Sequence, residues 1–296
     1  MFLSIDIQSI STRGCRVFKG LIMAKSVFET VTANIIESLE NGVKPWECPW
    51  DNGVSQKLTI PFNFSTHNHY KGINVLCFWS HSINSGFNSS GWMTFNQIKN
   101  LGLKLKKGSK AAAGIYFGKS EKENEEGKKE EYFFAKQFSV FNCDQVEGLK
   151  EEFQNVGNNK NINELLEKLN VAISHVGNKA YYDRSTDVVT MPAKERFSNE
   201  ADYYATLIHE VAHWTGAETR LNRTKGARFG DADYAFEEMV AELTAAFVMA
   251  ELGLAGHNVQ HENYIGSWLK ALQSNSKYVY EAAKLAEKAA NFILEA

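Results

Sequence analysis

The sequence predicts an α+β protein of two domains, the first mixed and the second mainly helical with a small β-sheet. Three observations carry that expectation. A chain of 296 residues is long enough for two cores of ordinary size. Short apolar and aromatic runs crowd residues 23–150, whereas helical periodicity dominates 166–296, and the stretch 151–165, with Gly157-Asn158-Asn159, links them. The charge also divides, since residues 1–150 carry 18 Lys and Arg against 14 Asp and Glu and the remainder 14 against 21. The first half is therefore the candidate for polyanion contact.

Composition narrows the class further. The chain is 44% hydrophobic and 23% charged, and it holds no apolar run near the roughly 18 residues that a membrane span requires. Cys15, Cys48, Cys77 and Cys143 are scattered without a C-x-x-C pair, which reads as reduced thiols in a cytoplasmic protein. Residues 1–22 show neither a continuous apolar segment nor a cleavage site, so no signal peptide is expected, and Met23 opens a cleaner sequence.

In chain order, Val27, Phe28, Val31, Ile35, Ile36 and Leu39 recur at helical intervals, and Asn41-Gly42 stops that helix. Prolines 45 and 49 then stiffen a loop that presents Trp46 and Trp50, indoles that either stack on bases or plug a core. Tyr70-Lys71-Gly72 leads into an apolar run, and Trp92-Met93-Thr94-Phe95 reads as a short strand entering a helix. Leu103 to Lys110 alternates apolar and basic residues as a strand would, placing Lys104 and Lys106 on one face with Lys107 and Lys110 following. Aromatics interleaved with a basic row suit single-stranded DNA, with double-stranded DNA a second option, whereas an ordinary lysine-guarded edge strand would look the same. The candidates on this side are Trp46, Trp50, Tyr70, Lys71, Trp92, Lys104, Lys106, Lys107 and Lys110. Strands are expected at Ala111–Phe117 and Glu131–Phe141, joined by the mixed-charge run Lys119–Glu130 as an unpacked hairpin tip.

In the second half a helix starts at Ile162, and residues 180–182 and 187–192 form a small hairpin. Next comes Leu207-Ile208-His209-Glu210-Val211-Ala212-His213-Trp214, whose apolar residues fall at helical spacing while His209 and His213, at i and i+4, share one face. Two imidazoles one turn apart with a Glu beside the first form H-E-x-x-H, the pattern of a Zn2+ site whose Glu210 acts as general base. A third ligand is required, and the amphipathic stretch Tyr234–Phe247 offers Glu238, with Glu242 one turn on as acceptor for an imidazole N–H. The reverse order, or a role for Glu237, stays open. Mn2+ and Co2+ are alternatives to zinc. In a peptidase the metal polarises the scissile carbonyl and acidifies its water while Glu210 moves the proton; Tyr234 and Tyr203 are both near in sequence as oxyanion donors. Helices around Trp268 and around Ala286 close the chain.

Pro45-Trp46, Tyr70-Lys71-Gly72-Ile73-Asn74, Trp92-Met93-Thr94-Phe95-Asn96-Gln97, Val140-Phe141-Asn142, the H-E-x-x-H helix and Tyr234–Glu242 together resemble the ArdC-type antirestriction proteins of conjugative plasmids, from about Met23 to the C-terminus. The resemblance implies a single-stranded-DNA-binding N-terminal domain fused to a gluzincin-like zinc metallopeptidase domain, in a protein that shields incoming DNA from restriction. It implies DNA as partner and leaves a protein substrate as a further expectation.

Overall fold

The computed structural model describes residues 27–41, 44, 46, 59–123, 129–149, 161–223, 232–254 and 265–296. Residues 1–22 and Trp50 lie outside these. Helix α1 (Val27–Glu40) forms where the apolar spacing places it and buries Val31, Ile35 and Leu39. Trp46 then turns inward, its indole edge-on to Trp268 with ring centres 5.8 Å apart.

The first sheet joins β1 (Phe62–Asn63), β2 (Gly91–Met93), β3 (Ala112–Glu123) and β4 (Lys129–Asn142) in the order β1-β2-β4-β3, antiparallel except for β1 against β2. Between its strands lie α2 (Ile73–Ser85) and α3 (Phe95–Asn100). Gly72 opens α2 at φ 53, and a Cβ there would sit 3.1 Å from a Glu287 oxygen of the second half, so backbone angle and space both favour glycine. The strand-to-helix turn at Met93–Phe95 rests on a capping box, in which Thr94 accepts from the Gln97 amide and the Gln97 side chain accepts from the Thr94 amide.

Two expectations in this half are corrected. The charged run does not sit outside the hairpin, because β3 and β4 stay in register out to Glu123↔Lys129, and Lys119–Glu131 and Lys129–Glu121 pair across the strands. Leu103–Lys110 is not a strand. It makes a single bridge, Leu105↔Val146, that lets Leu103 and Leu105 pack toward Met93, Ile98 and Val146 while Lys104, Lys106, Lys107 and Lys110 face outward.

The second half begins with α4 (Ile162–Leu169), capped by the Asn161 side chain, so the last residues of the expected link are helical. A three-stranded sheet of β5 (Ala172–His175), β6 (Tyr181–Asp183) and β7 (Val188–Met191), ordered β5-β7-β6, contains the expected hairpin plus a parallel strand. Helices α5 (Glu200–Thr215), α6 (Ala232–Glu251), α7 (Ile265–Ser274) and α8 (Tyr278–Leu294) complete the chain. The largest cluster of buried apolar side chains draws on both halves, with Ile35 and Leu76 in the same core as Ile208, Met239 and Ala286. No helix among the described residues is long and apolar enough to cross a membrane.

Candidate metal centre

The centre is built on α5. Asn199 caps it by accepting from the Asp202 amide, and Glu200 and Asp202 sit in the first turn, where carboxylates favour the helix dipole. Leu207, Ile208, Val211 and Ala212 are at most 1% exposed, the burial of each of the first three contributing about 1.5–3 kcal/mol. A helix embedded this deeply holds His209 and His213 in fixed positions. Facing them, α6 brings Glu237, Glu238 and Glu242, each no more than 5% exposed. Three buried carboxylates on one helix would be costly unless paired.

The pairing is specific. His209 and His213 point their Nε2 atoms at each other, 3.2 Å apart, and each lies 3.5 Å from an oxygen of Glu238. Among the described residues His209, His213 and Glu238 are the set whose donor atoms converge on one point. Tetrahedral donors at ~2.0–2.1 Å from Zn2+ would stand about 3.4 Å apart, which is close to these spacings. The donor set therefore fits a divalent metal.

Burial disfavours the imidazolium of His209, but the hydrogen bond to Glu238 and the charges of Glu210, Glu242 and Glu238 outweigh it and push its pKa up to about 9. Burial likewise disfavours the Glu238 carboxylate, and the His209 hydrogen bond, both imidazoles and a Tyr234 hydrogen bond together hold it down at about 2. The His209 imidazolium and the Glu238 carboxylate thus favour each other's charged forms.

Glu237 is not among the converging donors. Its Oε1 lies 3.4 Å from Nδ1 of His213, the far ring nitrogen, and Arg223 grips both its oxygens at 2.8 and 3.0 Å. Arg223 also donates to Ala212 O (2.6 Å) and Thr215 Oγ1 (3.1 Å), tying the end of α5 to α6. No spacing pattern in the sequence marks Arg223 for this role. Glu242 is fully buried and close enough to His209 to favour its charged form. Glu210 is 8% exposed beside His209. Of the two tyrosines, Tyr234 donates to Glu238, whereas Tyr203 bonds His175 Nε2 at 2.8 Å, at the end of β5.

The DNA candidates separate by burial. Trp92 is 0% exposed against Phe78, ring centres 4.9 Å apart, and Trp46 is 3% exposed. Both are core residues, which corrects their expected role in base stacking. Tyr70 is half-buried, edge-on to Phe78. Lys71, Lys104, Lys106, Lys107 and Lys110 are exposed, although the Lys106 ammonium already donates to Asp144 O at 2.6 Å.

The helix pair, its inward carboxylates and the small sheet define a zincin-like metallopeptidase domain, and residues 160–285 match the family model of that description. Residues 25–141 match the N-terminal domain of anti-restriction factor ArdC. The protein y4eC of Sinorhizobium fredii is 32% identical over 280 residues, covering 90% of this chain and 91% of that one. The DNA primase TraC of Escherichia coli is 34% identical over 297 residues, which is 91% of this chain but only 20% of TraC. The metal-free crystal structure of ArdC from plasmid R388 superposes with a TM-score of 0.79 at 34% identity, covering 92% of this chain and 97% of that one. Its Mn(II)-bound form gives 0.76 over 92% and 98%. The chain belongs to the ArdC family of antirestriction proteins.

Proposed function

We propose that this chain binds single-stranded DNA entering a recipient cell through its N-terminal half and carries a metal-dependent peptidase centre in its C-terminal half, acting in the cytoplasm on proteins that meet that DNA. The observation that supports the peptidase reading is the convergence of His209, His213 and Glu238 beside Glu210. These three side chains would hold Zn2+, with Mn2+ or Co2+ as alternatives; R388 ArdC has been crystallised with Mn(II). A divalent ion there supplies Lewis acidity toward a substrate carbonyl.

The chain's own residues would do the rest. Glu210, held next to His209 on a buried helix, accepts a proton from the attacking water and returns it to the leaving amine. Tyr234, already bonded to Glu238, is the tyrosine placed to orient the site. Glu237 and Arg223 keep His213 in register from behind.

Glu210→Gln tests this reading. Cleavage of a DNA-bound protein should fall by about 10²–10⁴-fold, the usual worth of a general base, while oligonucleotide affinity stays intact. Unchanged cleavage would remove Glu210 as the base. The burial of His209, Glu210 and Glu238 favours a second reading, a DNA-coating shield whose metal serves only stability. In that case Glu210→Gln would retain full protection of entering DNA.

A further inference from the structure

The outward face of the β3–β4 hairpin is aromatic where a sheet facing solvent is ordinarily polar. Alternation along β3 sends Ile115 and Phe117 to one side and Gly114, Tyr116 and Gly118 to the other. The first side leans on the second half: Ile115 is 1% exposed, and Phe117, 40% exposed, stacks on Tyr280 of α8 with ring centres 4.7 Å apart. The Lys119–Glu131 and Lys129–Glu121 pairs share that side, so those acidic groups are matched there.

On the outward side two glycines stand four residues apart, opposite Phe138 and Phe134 of β4. A Cβ at Gly114 or Gly118 would come within 2.3 Å of the Phe138 or Phe134 ring. The glycines therefore exist to let both rings lie flat across the neighbouring strand. Between them sits the cross-strand pair Tyr116↔Lys136. Tyr116 is 58% exposed with its ring 6.2 Å from Phe134, and Lys136 Nζ lies 4.9 Å above the Phe134 ring. At its inner end the same side runs into the core, where Phe138 stacks 6.2 Å from Tyr70 and both rings pack edge-on against buried Phe78. At the base of β3, the exposed row Lys104, Lys106, Lys107, Lys110 runs directly into the strand.

We propose that this face is a stacking platform for the bases of single-stranded DNA, with Tyr116 taking a base face, Phe134 backing the Tyr116 ring on the sheet and Lys136 neutralising a phosphate. The inference rests on the DNA-binding reading above and gives it a surface. Flat rings fixed on a sheet accept any unpaired base through its π-face, and paired bases offer no such face. The half that carries the platform has an excess of cations over anions, which complements the phosphate backbone.

Fluorescence anisotropy of the full-length chain with a labelled oligothymidylate of about 20 nucleotides, longer than most single-domain sites, tests it across a salt series. Tyr116→Ala should weaken binding about tenfold or more, as loss of one stacking ring does, with the salt slope unchanged. Tyr116→Phe should preserve affinity. Lys136→Gln should lower the slope of log affinity against log salt by about 0.7, one phosphate contact on a single strand. Gly118→Ala should behave like loss of Phe134, because the added methyl displaces that ring. Tyr181→Ala, on β6 and 49% exposed, should bind as the parent does. Parent binding with Tyr116→Ala and Lys136→Gln both indistinguishable from it would overturn the platform alone. Parent protein that binds no single strand at any salt would overturn the DNA reading and the platform together.

Discussion

Arg223 and Glu237 form a two-bond guanidinium–carboxylate pair, 2.8 and 3.0 Å, with both side chains no more than 7% exposed, and the same carboxylate rests 3.4 Å from Nδ1 of His213. The pair fixes the orientation of the imidazole and clamps α5 to α6.

Arg223→Gln should therefore act twice. It leaves Glu237 buried with its main partner gone, costing about 3–5 kcal/mol of stability. It also loosens His213, lowering metal affinity by about 10–100-fold. Denaturant melts and metal titration calorimetry measure the two effects separately. Lost stability with unaltered metal affinity would show that the clamp does not govern the ligand.

Glu238→Gln should remove bound metal outright, because it neutralises the carboxylate that meets both imidazoles. Glu242→Gln should leave the metal in place with affinity lowered by about 10–100-fold, since Glu242 acts on His209 through its charge. Elemental analysis of the two purified variants distinguishes them, and equal metal loss would make Glu242 a ligand.

The metal-free protein should have a defined pH window. The His209 pKa, about 9, lies above its ordinary 6.5, so its contribution to stability is fully present below pH 6.5 and lost as pH rises through about 9. The Glu238 pKa, about 2, lies below its ordinary 4.5, so its contribution is present above pH 4.5 and lost as pH falls through about 2. The pair therefore stabilises the apo protein most between pH 4.5 and 6.5. Metal binds the neutral imidazoles, so the rise in melting temperature on adding Zn2+ or Mn2+ should be larger at pH 8 than at pH 6. A larger rise at the lower pH would contradict this electrostatic picture.

Trp92→Ala should cost about 3–5 kcal/mol, as loss of a fully buried indole does, and leave the oligonucleotide affinity of the folded protein unchanged. Urea unfolding and anisotropy on the same preparation decide the point. A drop in affinity without a drop in stability would return Trp92 to the DNA surface.

Local chemistry made much of this readable. The i, i+4 histidines and the strand that enters a helix at Trp92–Phe95 are short-range patterns whose residues specify their own geometry. Long-range packing was not readable. Trp46 and Trp92 have the same side chain that an open stacking site would use, and only Trp268 and Phe78, more than a dozen residues away, turn them inward. Arg223 follows α5 in an unpatterned stretch, and its partner lies on the next helix. β5 pairs in parallel with β7, past β6 in sequence, so no turn signature announces it. The Phe134–Gly118 and Phe138–Gly114 contacts appear only once the hairpin register is known.

Trp46 against Trp268, Phe117 against Tyr280 and Gly72 against Glu287 each join a residue from before the link to one from after it. Severed between them, both fragments would carry a raw oily scar and tend to aggregate. The alignment with TraC likewise crosses both halves, spanning 91% of this chain.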